Sequence, residues 1–202
     1  MPRDKTESHR RVLQAAWEEF AEYGFEKASM RRIGQRCGMT VAGLYRHCRD
    51  KEDLFDQLVR PYVEKIDDWM EKHISRSLQS LQDHNVDLRQ DSEIDLMRGL
   101  IYPDIDAYRL ILTGSRGTRY ENWLHDLTRK QQDRMMEFLP VIRERGYAVK
   151  DISSEQLHIL LSAYVQAMFE PVIHGFSREQ ALDCLELLET FFLPGWKQLL
   201  GF

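Results

Sequence analysis

The sequence predicts an all-α fold of about nine helices, with a small amino-terminal domain followed by a larger helical one. Three observations support this fold class. Apolar residues recur at intervals of three and four along most of the chain, as they do on one face of an α-helix. Capping residues and glycines bound these segments. No segment keeps the apolar-polar alternation of a β-strand, and no repeat of fixed period is visible.

The composition is that of a globular chain of 202 residues, 43% of them hydrophobic and 30% charged. The start, MPRDKTESHRR, is charged, and no run of about eighteen apolar residues occurs, so we expect neither a signal peptide nor a membrane span. We therefore expect a cytoplasmic protein with no membrane partner. The three cysteines, Cys37, Cys48 and Cys184, form no CxxC pair, which indicates reduced thiols and no metal site.

Charge is distributed unevenly along the chain. Residues 1–51 hold eleven Lys/Arg and seven Asp/Glu, a net charge of +4, whereas residues 52–202 carry −9. Within 29–51, six Lys/Arg accompany a single acid, Asp50. A basic patch on an acidic body can hold phosphates locally, while the body discourages general adhesion to nucleic acid.

The first three predicted helices have clear start and stop signals. The first begins at Thr6, and Gly24 can adopt the left-handed conformation that ends a helix. Ser29 caps the second, MRRIGQRC, which Gly38 ends. Thr40 caps the third, VAGLYRHC.

A long fourth helix begins at Asp50, with Asp53 placed as in a capping box. Pro61 lies inside its apolar pattern. Because proline removes a backbone donor and crowds the preceding turn, we predict a kink, or a break and restart, at 57–60. The predicted domain boundary lies nearby, between residues 6–66 and 67–202.

The segments after the fourth helix continue the helical pattern. SLQDHNVDLRQDSE is the best loop candidate, and Asp91 or Ser92 then opens a helix through Leu100. DIDAYRLILT follows, and after the turn-like GSRG an amphipathic stretch covers 118–145, which Gly146 ends.

Two capping boxes open the last two predicted helices. The first pairs Ser153 with Gln156, and the second pairs Ser177 with Gln180. Gly175 separates the helices, and the short joint predicts that they are antiparallel neighbours.

The second and third helices, with the glycine turn between them, have the spacing of a helix-turn-helix over 29–48, whose second helix enters the major groove of DNA. The small Ala42 and Gly43 let that helix approach base edges. Thr40 offers a hydroxyl, and Val41 offers an apolar contact for a thymine methyl. The other DNA-binding candidates are polar residues on either side, most of which can reach phosphates: Ser29, Arg31, Tyr45, Arg46, His47, Arg49 and Lys51.

The segment ASMRRIGQRCGMTVAGLYRHCRDKEDLF resembles the tetracycline-repressor-like (TetR) family of bacterial transcription regulators. The shared features are a hydroxyl residue, an inward isoleucine, a glycine turn, a small-residue helix ending in Tyr-x-His, and Lys-Glu-x-Leu. The resemblance implies two groups of contacts. Thr40, Val41, Ala42 and Gly43 would face bases, and Ser29, Tyr45, His47 and Lys51 would face phosphates.

The resemblance also implies a helical second domain that binds an effector and forms a dimer. By analogy, the last two helices, about 154–174 and 178–200, would pair across a homodimer. The chain departs from the family pattern at Cys48, where phenylalanine is usual, and at Arg49. Because cysteine is smaller than phenylalanine, we expect large neighbouring side chains to fill the space that the phenylalanine ring would occupy. The candidates are Trp17, Phe20, Met30 and Phe55.

Cys48 and Cys37 allow two interpretations. They form a thiol switch within the DNA-reading helices, or they are buried and inert, and the second interpretation is favoured. His47 beside Cys48 does not indicate a metal, because adjacent helical residues point about 100° apart and no further ligands accompany them.

Nine polar, aromatic and methionine residues in the carboxyl-terminal part of the chain are candidates for an effector pocket. For most of its members, a simple core role or a solvent-exposed or dimer-seam role is the alternative. Arg116 is an exception: it either binds an anionic effector or belongs to a helix start capped by Thr118. The candidate pocket residues are Tyr108, Arg116, Tyr120, Trp123, Met136, His158, Gln166, Phe169 and Glu170.

These observations predict a homodimeric DNA-binding regulator, most simply a repressor, that binds a palindromic double-stranded DNA operator. An unknown small-molecule effector would change its affinity, and no cofactor is expected. No nucleophile elbow, phosphate loop or HExxH motif is present, so an enzyme is disfavoured. A helical adaptor that binds proteins instead of DNA is the other alternative.

Overall fold

The computed structural model describes residues 5–82 and 93–201. Within these residues the protein has nine α-helices, one π-helical turn, one 3-10 turn and no β-strand. The predicted all-α class is therefore confirmed. None of the described helices is both long enough and apolar enough to cross a lipid bilayer.

The described residues form two compact units. The first comprises the described residues up to Lys65 together with Asp106–Glu121, and the second comprises those of Ile66–Ile105 and Asn122–Phe202. The predicted boundary at residue 66 lies where the first unit ends along α4 (Lys51–Gln82). In contrast to that prediction, segment 106–121 packs with the first unit.

The amino-terminal part of the first unit is built from α1 (Lys5–Lys27), α2 (Met30–Cys37), α3 (Val41–Leu44) and the start of α4. The predicted stop at Gly24 is seen as a positive φ of 69° inside the α1 range. Apolar side chains from all four helices, including Phe25 just after the Gly24 stop, form the core of this part. The largest of these are Phe20, Phe25, Ile33, Leu44, Leu54 and Phe55.

Two predictions about these helices are corrected. The third helix is α-helical only over Val41–Leu44, because the N–H groups of Arg46 and His47 bond to carbonyl oxygens three residues back and tighten the chain into turns. The break and restart predicted at 57–60 is not found, because α4 runs without a break through Pro61. The kink, the other alternative, stays a prediction. A single proline removes one hydrogen bond, and the buried Val59 and Ile66 on either side keep the helix packed.

Residues 93–114 form a continuous helical run of changing type. It passes from α5 (Glu93–Leu96) through a π-helical turn (Met97–Ile101) and a 3-10 turn (Tyr102–Asp104) into α6 (Ile105–Gly114). The loop predicted at SLQDHNVDLRQDSE and the helix start at Asp91 or Ser92 lie mostly outside the described residues.

The second unit contains α7 (Trp123–Glu144), α8 (Ser154–Ile173) and α9 (Arg178–Leu200). The capping boxes at Ser153 and Ser177 are confirmed, each with both reciprocal hydrogen bonds. The helix predicted from residue 118 starts instead at Trp123, because the preceding residues fold into buried turns. The rings of Tyr164 on α8 and Phe192 on α9 lie 5.0 Å apart, as expected for neighbouring helices.

Candidate nucleic-acid interface

The turn between α2 and α3 depends on two glycines. Gly38 ends α2 in the left-handed region, with φ 67° and ψ 35°, as predicted. Gly34 was not singled out from the sequence, yet a Cβ there would lie 2.7 Å from the Met39 carbonyl oxygen. The Met39 N–H donates to the Gly34 carbonyl at 2.8 Å. The chain therefore passes so close to α2 that only glycine fits at position 34.

Thr40 caps α3, as predicted. Its Oγ1 accepts a hydrogen bond from the Gly43 N–H at 3.1 Å, which satisfies one of the free donors at the helix start. Leu44 is fully buried and packs α3 against the apolar core. Val41 and Ala42 lie on the opposite, exposed face of α3.

That face is exposed and chemically mixed. Thr40, Val41 and Ala42 are exposed, and Tyr45 exposes 50% of its surface. Arg46 is also exposed, and among the described residues it makes no ion pair or hydrogen bond through its side chain. Arg31, on α2, is exposed too, and its side chain makes no ion pair or hydrogen bond among the described residues. We call these six residues the α2–α3 surface.

A buried carboxylate positions α2 beneath this surface. Glu19 of α1 is fully buried, and its Oε1 accepts hydrogen bonds from the Ser29 N–H at 2.9 Å and the Arg32 Nε at 2.6 Å. Arg36 Nε lies 3.4 Å from Glu19 Oε2. The guanidinium of Arg32 also stacks over the Tyr23 ring, 4.3 Å from its centroid. Sequence reasoning missed this network, because a lone glutamate in an amphipathic helix looks solvent-exposed.

Ser29 and His47 are placed differently from the prediction. Ser29 occupies the N-cap position of α2, but its side chain makes no capping bond, since its own N–H is drawn to Glu19. The His47 ring is half-buried and stacks on His9, with centroids 5.7 Å apart. Burial, with smaller effects from the His9 and Arg46 charges, lowers the pKa of His47. At neutral pH its ring would therefore offer a polar contact without a charge.

Lys51 and Arg49, both predicted to reach phosphates, are occupied within the protein. The Lys51 ammonium donates to the carbonyl oxygens of Phe25 and Ala28, at 2.8 and 3.2 Å, and lies 3.4 Å from that of Glu26. It thus caps the end of α1, and burial lowers its pKa. Arg49 pairs with Asp53 at 3.2 Å. Lys51 thus has a structural role at the end of α1, and its contact with a DNA phosphate stays a prediction.

The two cysteines of this unit are buried thiols. Each S–H donates to a carbonyl oxygen in the preceding turn at 3.6 Å, Cys37 to Gly34 and Cys48 to Leu44. Burial raises the pKa of both, that of Cys48 to about 11. Because the thiolate is the reactive form, these environments support the inert interpretation over the switch. Of the proposed compensating side chains, Phe20 and Phe55 are fully buried and pack edge to face at 5.1 Å.

Three effector candidates lie in the first unit. Tyr108 is fully buried and donates to the Tyr62 carbonyl. Tyr120 donates to Asp56, and burial raises its pKa to about 12. Arg116 lies 3.6 Å from Glu26. All three residues therefore have partners within the first unit.

The other six candidates are dispersed over the second unit. Trp123 and Phe169 are buried with their rings 5.4 Å apart, and Met136 packs on an apolar cluster around Leu139. Polar partners engage the rest. His158 Nδ1 lies 2.8 Å from Gln132, Gln166 donates to Glu170, and Glu170 lies 2.9 Å from His174.

The second unit holds a cavity of about 220 Å³ at a different place. None of the nine effector candidates lines it. Sequence reasoning could not locate this cavity, because side chains from five helices, α4, α5, α7, α8 and α9, form its walls.

Two short helices, a tight glycine turn and an exposed face with unpaired arginines define a helix-turn-helix DNA-binding unit. Residues 12–58 match the family model described as bacterial regulatory proteins, tetR family. The chain therefore carries a DNA-binding segment similar to that of the tetR family of bacterial transcription regulators.

Individual relatives match this chain over different lengths. A helix-turn-helix-type transcriptional repressor of Mycobacterium tuberculosis is 42% identical over 57 residues, which are 28% of this chain and 30% of that protein. The repressor AcnR of Corynebacterium efficiens is 22% identical over 190 residues, 91% of each chain. Among solved structures, NalD, the secondary repressor of the MexAB-OprM multidrug efflux pump in Pseudomonas aeruginosa, is 15% identical, with a TM-score of 0.46 over 92% of this chain and 96% of that one.

Proposed function

We propose that the protein is a cytoplasmic homodimeric repressor without catalytic activity, which binds a palindromic operator and responds to a small molecule in its second unit. The observation that carries the proposal is the α2–α3 surface, whose arginines have no partner among the described residues. The similarity to AcnR, a repressor, over 91% of this chain supports repression over activation.

The α2–α3 surface divides into two kinds of contact. The hydroxyl of Thr40 and the apolar Val41 and Ala42 suit base edges and thymine methyls in the major groove. Arg31, Tyr45 and Arg46 stand beside them and suit phosphates, which position the helix without reading sequence. Lys51 contributes indirectly, because its ammonium donates a hydrogen bond to the Phe25 carbonyl oxygen at the end of α1.

Exposed apolar side chains on α8 and α9 support the proposed dimer. Ile159 exposes 68% of its surface, Leu187 70% and Phe191 75%. Large apolar residues at these exposures on adjacent helices are typical of a surface that a second subunit covers. A two-fold dimer would present two α3 helices to major grooves about 34–36 Å apart.

The helix α4 provides a physical link between effector and operator. Its first turns contribute Leu54 and Phe55 to the core under α3, and further along the chain Trp69, Met70 and His73 line the cavity of the second unit. A ligand that prefers one of two α4 positions would shift the equilibrium between DNA-binding and released forms.

Selection from a library of randomised duplexes tests DNA recognition without knowledge of the operator. We expect enrichment of an inverted repeat, and no enrichment with the Tyr45→Ala/Arg46→Ala variant. Arg109→Ala is the matched control, because this half-buried arginine of the same unit already pairs with Asp106 at 3.4 Å. Failure of the unaltered protein to enrich any sequence would favour the adaptor alternative.

Sedimentation of the Leu187→Glu/Phe191→Glu variant tests the dimer. We expect dimers of the unaltered protein and monomers of the variant, because two buried charges oppose an apolar interface. The control is Glu186→Gln, a neighbouring exposed position on α9. A variant that remains dimeric would place the interface elsewhere.

A further inference from the structure

The walls of the cavity in the second unit are rich in aromatic rings. Trp69 comes from α4, Tyr164 from α8, and Phe192 and Trp196 from α9. The Tyr164 ring lies 5.0 Å from that of Phe192 and 6.4 Å from that of Trp196. Faces of such rings attract cations through their quadrupoles.

Two carboxylates without a cationic partner line the same cavity. Glu93 accepts a hydrogen bond from the Tyr164 hydroxyl, and the charges of Glu93 and Glu189 both act on that hydroxyl, adding to the burial that raises its pKa. No ion pair to Glu93 or Glu189 occurs in the described part of the chain. Arg134, which also lines the cavity, is occupied by Glu71 and Glu137. The lining therefore carries uncompensated negative charge.

An unused hydrogen-bond acceptor points to the same kind of ligand. Gln131 lines the cavity, and its Oε1 is buried without a hydrogen-bond donor. A buried carbonyl oxygen without a donor is costly, so a ligand N–H would stabilise the site. The volume of about 220 Å³ is below the range of about 300–1,000 Å³ for drug-sized pockets, which limits the ligand to a small molecule.

We propose that this cavity binds a small organic ammonium ion with one apolar or aromatic group, its charge set between Glu93 and Glu189 and its apolar part among the rings. The regulatory meaning of this site rests on the proposed function, whereas the binding itself does not. An anion would meet two carboxylates, and a neutral molecule would leave these half-buried charges without a counter-ion.

Titration calorimetry with three ligands of similar shape tests the proposal: 2-phenylethylamine, a cation at neutral pH, 2-phenylethanol, neutral, and phenylacetate, an anion. Trp69 and Trp196 give a fluorescence signal from the cavity itself. We expect 2-phenylethylamine to bind at least about ten-fold more tightly than the other two. We expect Glu189→Gln to weaken its binding by at least about ten-fold, while Glu186→Gln, one turn away and exposed, leaves it unchanged.

Three outcomes would overturn the proposal: no binding by 2-phenylethylamine, equal binding by the alcohol or the acid, or an unaltered affinity in Glu189→Gln. Melting curves of each variant separate loss of binding from loss of folding, and Glu93→Gln gives a second, independent charge removal. Anisotropy with the selected duplex is measured in parallel. A protein that binds DNA but no amine refutes the cavity proposal alone, and one that binds the amine but no DNA refutes the proposed function alone.

Discussion

The DNA-reading face of the first unit and the cavity of the second unit are built from the chain in different ways. The α2–α3 surface draws its residues from Arg31 to Arg46, so neighbours in sequence are neighbours in space. The cavity draws on side chains from Trp69 to Leu200, on five helices. Local capping and turn signals can therefore specify the first, whereas only the tertiary packing assembles the second.

A second difference lies within the first unit, between its cations. Arg31 and Arg46 have no partner in the described part of the chain, whereas Arg32, Arg36, Arg49 and Lys51 are held by carboxylates or carbonyl oxygens. Equal charges in one short segment thus have different roles. The paired cations hold the helices together, and the unpaired ones are available to DNA.

The largest expected effect on stability comes from the substitution of Glu19, which pairs with Arg32 and Arg36. Glu19→Ala removes the acceptor of the Ser29 N–H and of Arg32, so we expect the free energy of unfolding to fall by about 3 kcal/mol. Chemical denaturation measures it. Glu18→Ala, an exposed partner of Arg36 at 3.6 Å, is the control and should cost under about 0.5 kcal/mol. Equal losses in the two variants would show that burial of Glu19 contributes little.

Gly34→Ala is expected to have the next largest effect. The new Cβ would meet the Met39 carbonyl oxygen at 2.7 Å, so the turn must move, at a cost of about 2 kcal/mol. Gly99→Ala is the matched control, since nothing lies within 4 Å of a Cβ there. We expect thermal melting to show a loss for Gly34→Ala and no loss for Gly99→Ala. A stable Gly34→Ala variant with full DNA affinity would contradict the tight turn.

Lys51→Met tests whether this lysine is structural. The substitution keeps the apolar stem and removes the donors to the end of α1, so we expect a loss of about 1 kcal/mol in unfolding free energy. The affinity of the folded variant for DNA should change less than that of Arg46→Ala. If Lys51→Met instead keeps its stability and loses DNA binding, the phosphate role is restored.

The smallest expected effect concerns the thiols. Burial raises the pKa of Cys48 to about 11 in the folded protein, so the protonated form is favoured by folding. This contribution is fully present below the unfolded value of about 8.5 and is lost as pH rises toward 11. At pH 8 we expect a thiol reagent to label the half-buried Cys184 first, with Cys37 and Cys48 protected until unfolding. Early labelling of Cys48 would revive the switch interpretation.

The sequence was informative where structure is local. The caps at Thr40, Ser153 and Ser177 and the turn at Gly38 followed from residue type and spacing. The burial of Glu19 and the bonds of Lys51 did not, because their partners lie ten or more residues away. The cavity is the extreme case: residues such as Glu93 and Glu189 acquire a shared role only when the helices pack.

The salt dependence of operator affinity tests the central claim most directly. Removing a cation that binds one phosphate should reduce the slope of log affinity against log salt by about 0.9. We predict this reduction for Arg46→Ala, whose cation is unpaired, and an unchanged slope for Arg49→Ala, three residues away and paired with Asp53 at 3.2 Å. Equal slopes in the two variants, or a reduction confined to Arg49→Ala, would contradict the assignment of the DNA-reading surface.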